Sequence, residues 1–200
     1  MNKRGLVNSL KNAGFGKSII NSFSRVYRED FMLPEHGKNS YEDEAFSIGY
    51  GQTISQPYTI AFMLDLLNLN KGNRVLEIGS GSGYVLALIS KIVKHSEIVG
   101  IERVKELVAR SKYTLKNDKD IRIIYGNGLK EVKKLGKFDR ILVSASYEVI
   151  PKDFIGSLND EGILVMPVCQ SIFQIKKVKN KLIKKEFPGF LFVPLIDAKG

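Results

Sequence analysis

Apolar and polar residues along this chain fall into two rhythms. From residue 74 onward, short apolar runs alternate with stretches whose apolar positions recur every three or four residues, the alternation of strand and helix that builds a parallel sheet. Val75, Leu76 and Ile78 form the first run, and runs at 98–101, 122–125, 140–143 and 163–166 follow. Between them the pattern predicts a helix from Tyr84 to about Val93 and another over 104–115, where Val104, Leu107, Val108, Ser111 and Leu115 share one face. The turn GKFD precedes the fourth run; the turn NDEG precedes the fifth, which Pro167 is expected to stop. Residues 173–179 and 181–186 then read as a hairpin around Lys179, Asn180 and Lys181, with 190–195 as a closing strand.

The first seventy residues form a prefix to that alternation. Leu6, Val7 and Leu10, then Ile19, Ile20 and Phe23, are spaced as two short amphipathic helices joined by the glycine-containing turn AGFG. Residues 31–56 show neither period and are expected to be irregular before a helix over 58–67. A long irregular stretch inside a compact domain is more often functional than structural. With no internal repeat or low-complexity linker, 200 residues of 44% hydrophobic content are expected to form one domain around one core. Its parts would be 1–70 (helices and loop), 71–170 (parallel core) and 171–200 (antiparallel strands, with a fraying tail from Asp197).

Composition narrows the chemistry. A single cysteine, Cys169, leaves no disulfide framework and no cysteine-built cluster. The two histidines, His36 and His95, stand in no motif and are expected at the surface, so no metal site is expected. No apolar run approaches the roughly 18 residues of a membrane span, and the polar start MNKRGLVNSLKNAGFGKS lacks the apolar stretch of a secretion signal. The expectation is a cytoplasmic protein with no membrane partner. The 31 basic and 21 acidic residues give a net charge of +10, which keeps a nucleic-acid partner in consideration. That partner is not favoured: the lysine-dense stretches 130–137 and 176–185 are not interleaved with aromatics in a stacking pattern, and a solvated surface accounts for them.

The candidate chemistry lies in RVLEIGSGSGY, residues 74–84, a buried strand running into a glycine loop that opens a helix. Gly79, Gly81 and Gly83 remove side chains where backbone must turn or approach a ligand closely. A dinucleotide fold wants G-x-G-x-x-G over a pyrophosphate, but the third position of that pattern is Tyr84. What stands here is E-x-G-x-G-x-G headed by Glu77, which resembles motif I of the class I S-adenosylmethionine-dependent methyltransferases. Their cofactor is cationic and has no phosphate, and an acid suits a sulfonium and an ammonium. Glu102 follows the apolar run 98–101 about 20 residues beyond the loop, where an acid can accept both ribose hydroxyls.

The irregular prefix contains IGYGQTISQPY, residues 48–58, and this resembles the signature of the protein-L-isoaspartate O-methyltransferases. SRVYREDF and YEDEAFSIG before or within it, LEIGSGSGY after it, GNG at 126–128 and FVPL at 192–195 fall in family order, so the similarity runs from Leu6 to Leu195. It implies an α/β, Rossmann-like class I methyltransferase fold: a mostly parallel central sheet, antiparallel C-terminal strands and an N-terminal helical prefix. It implies S-adenosyl-L-methionine as cofactor, and as substrate an isoaspartyl-containing protein or peptide methylated on its free α-carboxylate as the first step of repair. On the residues it implies Ser55 beside the reacting groups as the catalytic position, orienting the substrate carboxylate. Thr53, Ile54, Ser55 and Gln56 would wrap the cofactor from the same loop. Glu77, Gly79, Ser80, Gly81 and Gly83 would hold it at the glycine loop, Glu102 at the ribose, and Asn127 with Gly128 near the adenine.

Some positions depart from the family pattern. Asn127 stands where an aspartate is usual, keeping a carbonyl acceptor but adding an NH2 that must be placed elsewhere. SASYEVIP at 144–151 replaces an alanine-rich run, Cys169 a glycine, and Tyr27 a frequent proline. These leave open a methyltransferase of the same fold acting on nucleic acid or a small molecule, or an inactive cofactor-binding homologue. VCQS loosely matches the Pro-Cys nucleophile of cytosine-C5 methyltransferases. Cys169 follows the fifth strand, not the fourth, and Val168 precedes it instead of proline, so a packed, inert thiol is expected.

Overall fold

Strand-forming runs that are apolar on both faces must be covered on both sides, and here they stack into a seven-stranded sheet with helices above and below. In the computed structural model, which describes residues 1–179 and 181–197, the chain opens with helices α1 (Lys3–Asn12) and α2 (Lys17–Arg25). A short hairpin, β1 (Phe46–Gly49) and β2 (Gln52–Ile54), precedes α3 (Pro57–Leu67). The alternating core comprises β3 (Val75–Ile78), α4 (Tyr84–Val93), β4 (Ile98–Glu102), α5 (Lys105–Thr114), β5 (Ile121–Tyr125), α6 (Gly128–Glu131), β6 (Phe138–Val143) and α7 (Lys152–Gly156). It finishes with β7 (Leu158–Val168), β8 (Ser171–Val178) and β9 (Lys181–Pro188).

The strand order is β5-β4-β3-β6-β7-β8-β9, parallel from β5 through β7 and antiparallel from β7 to β9. The order reverses at β3, whose neighbours β4 and β6 follow it in the chain on opposite sides. That reversal opens a crevice at the carboxyl end of β3, where open α/β sheets bind ligands. Alternate strand residues feed two cores. Val75, Ile98 and Leu142 join the larger cluster with α2, α3 and α4, while Leu76, Ile78, Val99 and Ile141 join a smaller one with Phe154 and Leu158. By the same alternation Glu77 lies on the face of Val75, beneath α3 and α4.

Three expected features differ. The segment 31–56 is not wholly irregular: Ile48 and Ile54 are buried and draw it into the β1–β2 hairpin. The fifth core strand is far longer than 163–166. NDEG is no turn before it but a bulge within it, since β6 Phe138 pairs with Leu158 and Arg140 already with Ile163. Pro167 does not stop the strand either. Its carbonyl accepts from the Tyr147 N–H at 3.3 Å, so its missing N–H faces away from β8 and costs no ladder bond there. Finally, 190–195 forms no strand. It makes one isolated bridge, between Ser146 and Pro194, and crosses the carboxyl end of the sheet as an extended strap.

The last hairpin pairs Val178 with Lys181; its Asn180 lies outside the described residues, as do residues 198–200 of the tail expected to fray from Asp197. β9 is one border of the sheet, opposite β5, and all of it but Phe187 is exposed, including Lys181, Lys184 and Lys185.

Candidate active site

Building from the backbone, β3 ends at Ile78 and the chain turns through Gly79, Gly81 and Gly83, with φ of 79°, 51° and 86°, a region that glycine alone enters freely. The loop is pinned to β4: the Gly79 and Ser80 N–H groups donate to the Ile101 carbonyl at 2.8 and 3.1 Å. Glu102, 5% exposed, completes the anchor. Its Oε2 accepts from the Gly81 N–H at 2.8 Å and its Oε1 from the Val104 N–H at 2.9 Å. Each oxygen retains a lone pair, so the acid can hold the loop and still accept from a ligand hydroxyl.

Glu77, on β3 before the loop, is 1% exposed. Its Oε1 accepts from the Ser144 hydroxyl at 2.8 Å, whereas Oε2 has no partner, and the buried Ser80 hydroxyl also has none. Burial pushes this carboxyl up to about 8; the Ser144 hydroxyl pulls it down and the Glu102 charge adds to the rise. A buried oxygen left unpaired costs free energy unless a ligand completes it. An ammonium does so while compensating the charge.

A trough runs along the carboxyl ends of β3, β4 and β6. One end is lined by Ser55, Glu77, Ser80 and Ser82, and the other by Gln52, Glu102, Gly126, Asn127 and Ile196. Thr53, Gly79, Gly81 and Ser144 line both ends. A separate outer cleft is lined by Ala45, Gln56, Thr59 and Leu191 together with Thr53, Ser55, Ser144 and Phe192, and these last four also face the trough. Trough and cleft therefore meet across a wall that contains Ser55.

The trough has the donors and acceptors for an adenosyl sulfonium amino acid: the unpartnered Glu77 Oε2 could take an ammonium, and the lone pairs left on Glu102 could accept from ribose hydroxyls. The family model described as protein-L-isoaspartate(D-aspartate) O-methyltransferase (PCMT) matches residues 1–200. The chain belongs to the protein-L-isoaspartate O-methyltransferase family. Among curated relatives, the protein-L-isoaspartate O-methyltransferase of Fervidobacterium nodosum is 38% identical over 95% of this chain and 99% of its own length. That of Dictyoglomus thermophilum is 36% identical over 99% and 92%. A crystal structure from Plasmodium falciparum, described as a candidate family enzyme in complex with S-adenosyl-L-homocysteine, superposes with a TM-score of 0.86 at 31% identity, covering 98% of this chain and 99% of that one.

Within this family frame, the structure brings most of the expected residues together at the trough and sets others apart. Thr53, Ile54, Ser55, Glu77, Gly79, Ser80 and Gly81 line its first end, and Glu102, Asn127 and Gly128 its second. Gly83 stands behind the loop, where an added Cβ would come within 2.7 Å of Leu115 Cδ1, so packing against α5 requires glycine there in addition to its φ. Gln56 does not reach the trough. Its Nε2 donates to Asp43 Oδ2 at 3.0 Å and its Oε1 accepts from Thr59 at 3.3 Å, so its side chain ties loop to helix. Asn127 caps α6, with Oδ1 accepting from the Leu129 N–H at 2.8 Å, and its NH2 donates to the Ile196 carbonyl at 3.4 Å. A Cβ on Gly128 would meet Ile78 Cγ2 at 2.3 Å.

Cys169 is exposed, not packed. It occupies the two-residue turn between β7 and β8 with φ 52°, a left-handed position that explains why glycine is usual there. His95 is exposed as expected, and His36 is half-buried against the Phe46 ring at 5.3 Å. Among the described residues there is no group of three His, Cys, Asp or Glu able to hold a metal, and no helix long and apolar enough to cross a membrane.

Several contributors went unassigned in the sequence. Ser144 bonds Glu77, and its place directly after β6, beside the order reversal, is the signal that could have found it. Phe192, Val193 and Ile196 line the site from the strap. Arg28 and Arg110 donate to carbonyls of the loop and hairpin that carry Ser55 and Thr53.

Proposed function

We propose that this chain transfers a methyl group from S-adenosyl-L-methionine to the free α-carboxylate of L-isoaspartyl residues in damaged proteins or peptides, the step that starts their repair. The observation that carries the reading is the wall shared by trough and outer cleft: Ser55, Thr53 and Ser144 face both, so a group held on one side meets a group held on the other. Bound in the trough, the cofactor supplies an electrophilic methyl on a positively charged sulfur.

This chain's residues supply position and dryness. A carboxylate is already an anion above a pKa near 4, so no strong general base is needed. The Ser55 hydroxyl orients it, while Thr53 and Ile54 close the trough. Glu77 takes the cofactor's ammonium on Oε2, and Glu102 takes its ribose with the lone pairs left by Gly81 and Val104. Gly79, Ser80 and Gly81 shape the floor, Gly83 packs the loop onto α5 from behind, and Asn127 and Gly128 stand at the adenine end. Gln56 supports the loop through Asp43 instead of touching the cofactor. Phe192 of the strap lines both compartments and excludes water. Opposite charges cancel as the methyl passes, which water would otherwise stabilise in the ground state.

The same proposal treats residues 1–200 as one methyltransferase domain acting in the cytoplasm, supported by a single, free cysteine. Nucleic acid is not the favoured acceptor: ion pairs of Lys133 with Asp153, Lys134 with Glu131 and Lys176 with Glu161 draw on the lysine-dense stretches. The test offers tritium-labelled cofactor to an isoaspartyl peptide, its aspartyl twin and a tRNA pool. Base-labile label on the isoaspartyl peptide alone is expected; label in RNA, or binding without transfer, refutes the reading.

A further inference from the structure

Arg28 lies in the short 3-10 turn Arg28–Phe31 and is completely buried. Its guanidinium donates only to backbone: Nη1 to the Ser40 and Glu42 carbonyls at 2.8 and 3.1 Å, Nη2 to the Glu44 and Ser55 carbonyls at 2.8 and 3.1 Å. No carboxylate pairs with it among the described residues, and the Phe46 ring lies 5.6 Å from Cζ. For stability alone, an apolar side chain would fill such a place at less cost than a desolvated cation. What an apolar residue could not do is hold four carbonyls in fixed relation.

Those carbonyls have a telling arrangement. Residues 44 and 55 are the two ends of the excursion that contains the β1–β2 hairpin, and a single nitrogen, Nη2, binds both. The excursion is thereby closed at its base, and the entropy that would let its ends drift apart is removed. On the far side of Ser55 a second tie runs from Asp43, whose Oδ1 accepts from the Tyr58 N–H at 2.8 Å and whose Oδ2 accepts from Gln56. Ser55 is thus held through its own carbonyl and through the residues that follow it. A planar fork of five donors can serve four carbonyls at once; a lysine ammonium, with three donors around one atom, cannot.

We propose that Arg28 is a positioning residue for methyl transfer: its guanidinium closes the base of the hairpin excursion and so sets Ser55 at the wall between trough and cleft. The inference rests on the reading that Ser55 faces the acceptor carboxylate. It acts through backbone alone, so Arg28 touches neither substrate nor cofactor.

The test compares Arg28→Ala and Arg28→Lys with the parent protein. It reads kcat and KM on an isoaspartyl peptide, affinity for S-adenosyl-L-homocysteine, and hydrogen exchange of the amides from 46 to 56. In Arg28→Ala, kcat per folded molecule should fall about 100-fold, as a displacement near 1 Å does, with exchange in 46–56 accelerated. Added guanidinium chloride at low millimolar concentration should restore both, and ethylammonium chloride neither. Arg28→Lys should lose at least roughly tenfold in kcat and gain nothing from guanidinium, its own side chain filling the space. A folded Arg28→Ala with unchanged kcat and unchanged exchange overturns the proposal, as does a loss that guanidinium fails to repair. If Arg28→Ala does not fold, Arg28→Lys decides: wild-type kcat and protection there overturn it. Should the parent bind S-adenosyl-L-homocysteine yet methylate no isoaspartyl peptide, the functional reading fails separately, and the exchange of 46–56 with its rescue by guanidinium still judges Arg28.

Discussion

Glu77 should make both the stability and the cofactor affinity of this enzyme depend on pH in opposite directions. Its carboxyl is raised from 4.5 to about 8, first by burial and further by Glu102, against the opposing Ser144 hydroxyl. A folded-state pKa above the unfolded one means the native protein binds the extra proton. The stabilisation relative to an ordinary glutamate is therefore complete below pH 4.5 and is lost as pH rises through about 8. At about 1.4 kcal/mol per pH unit the whole loss is on the order of 5 kcal/mol. Glu77→Gln keeps the side-chain shape and an acceptor for Ser144 but cannot ionise. Urea unfolding of cofactor-free protein across pH 5 to 8.5 should therefore show the parent losing stability against the Gln variant by up to roughly 1.4 kcal/mol per pH unit. A cationic ligand on Oε2 reverses the balance, because it favours the ionised form. Below pH 8, binding of S-adenosyl-L-homocysteine should release protons, visible by calorimetry in buffers of unequal protonation enthalpy. Parent affinity should rise toward pH 8 by as much as roughly tenfold per unit beyond whatever the Gln variant shows. Parallel stability curves for parent and variant, with equal proton release, would refute the reasoning.

Two other substitutions probe the site and its support. Ser55→Ala removes a hydrogen bond to a charged acceptor, about 1.5–3 kcal/mol, so kcat should drop roughly ten- to hundredfold while calorimetric affinity for the cofactor product stays level; undiminished turnover would dismiss Ser55. Gly128→Ala forces a Cβ to 2.3 Å from Ile78 Cγ2, and overpacking of this kind costs about 1–3 kcal/mol, so a melting scan should show a fall of several degrees and a parental Tm would contradict the packing account.

The parallel core was legible because its central strands β3 and β4 are buried on both faces and read as apolar runs; β5, at the edge of the sheet, buries only Ile123 fully, yet IRIIY still carries enough apolar residues to be read as a strand. The glycine loop was legible because its conformation demands glycine. Other features were hidden by long-range context. NDEG carries turn residues, yet the pairing of β6 with Leu158 before it and Ile163 after it keeps the chain in the sheet and converts the turn into a bulge. Pro167 looks like a stop, but its absent N–H points where no strand needs it. The run 190–195 has strand composition but makes only one bridge, to Ser146. Arg28 carried no assignment in the sequence, since nothing in SRVYREDF foretells four carbonyl partners spread from 40 to 55. Gln56 sits in the signature stretch, and only the geometry reveals Asp43 as its partner.

The border strand β9 bears on how copies of the molecule treat one another. An open strand edge offers its free peptide groups to any similar edge, the route by which sheets from separate molecules fuse. Here Lys181, Lys184 and Lys185 stand exposed along that border, so two molecules meeting edge to edge bring ammonium against ammonium. The repulsion reaches about 10 Å at 0.1 M salt and only about 3 Å at 1 M. Concentrated brine thus strips away the guard, and fibrous clumping belongs to strong electrolyte and not to dilute buffer.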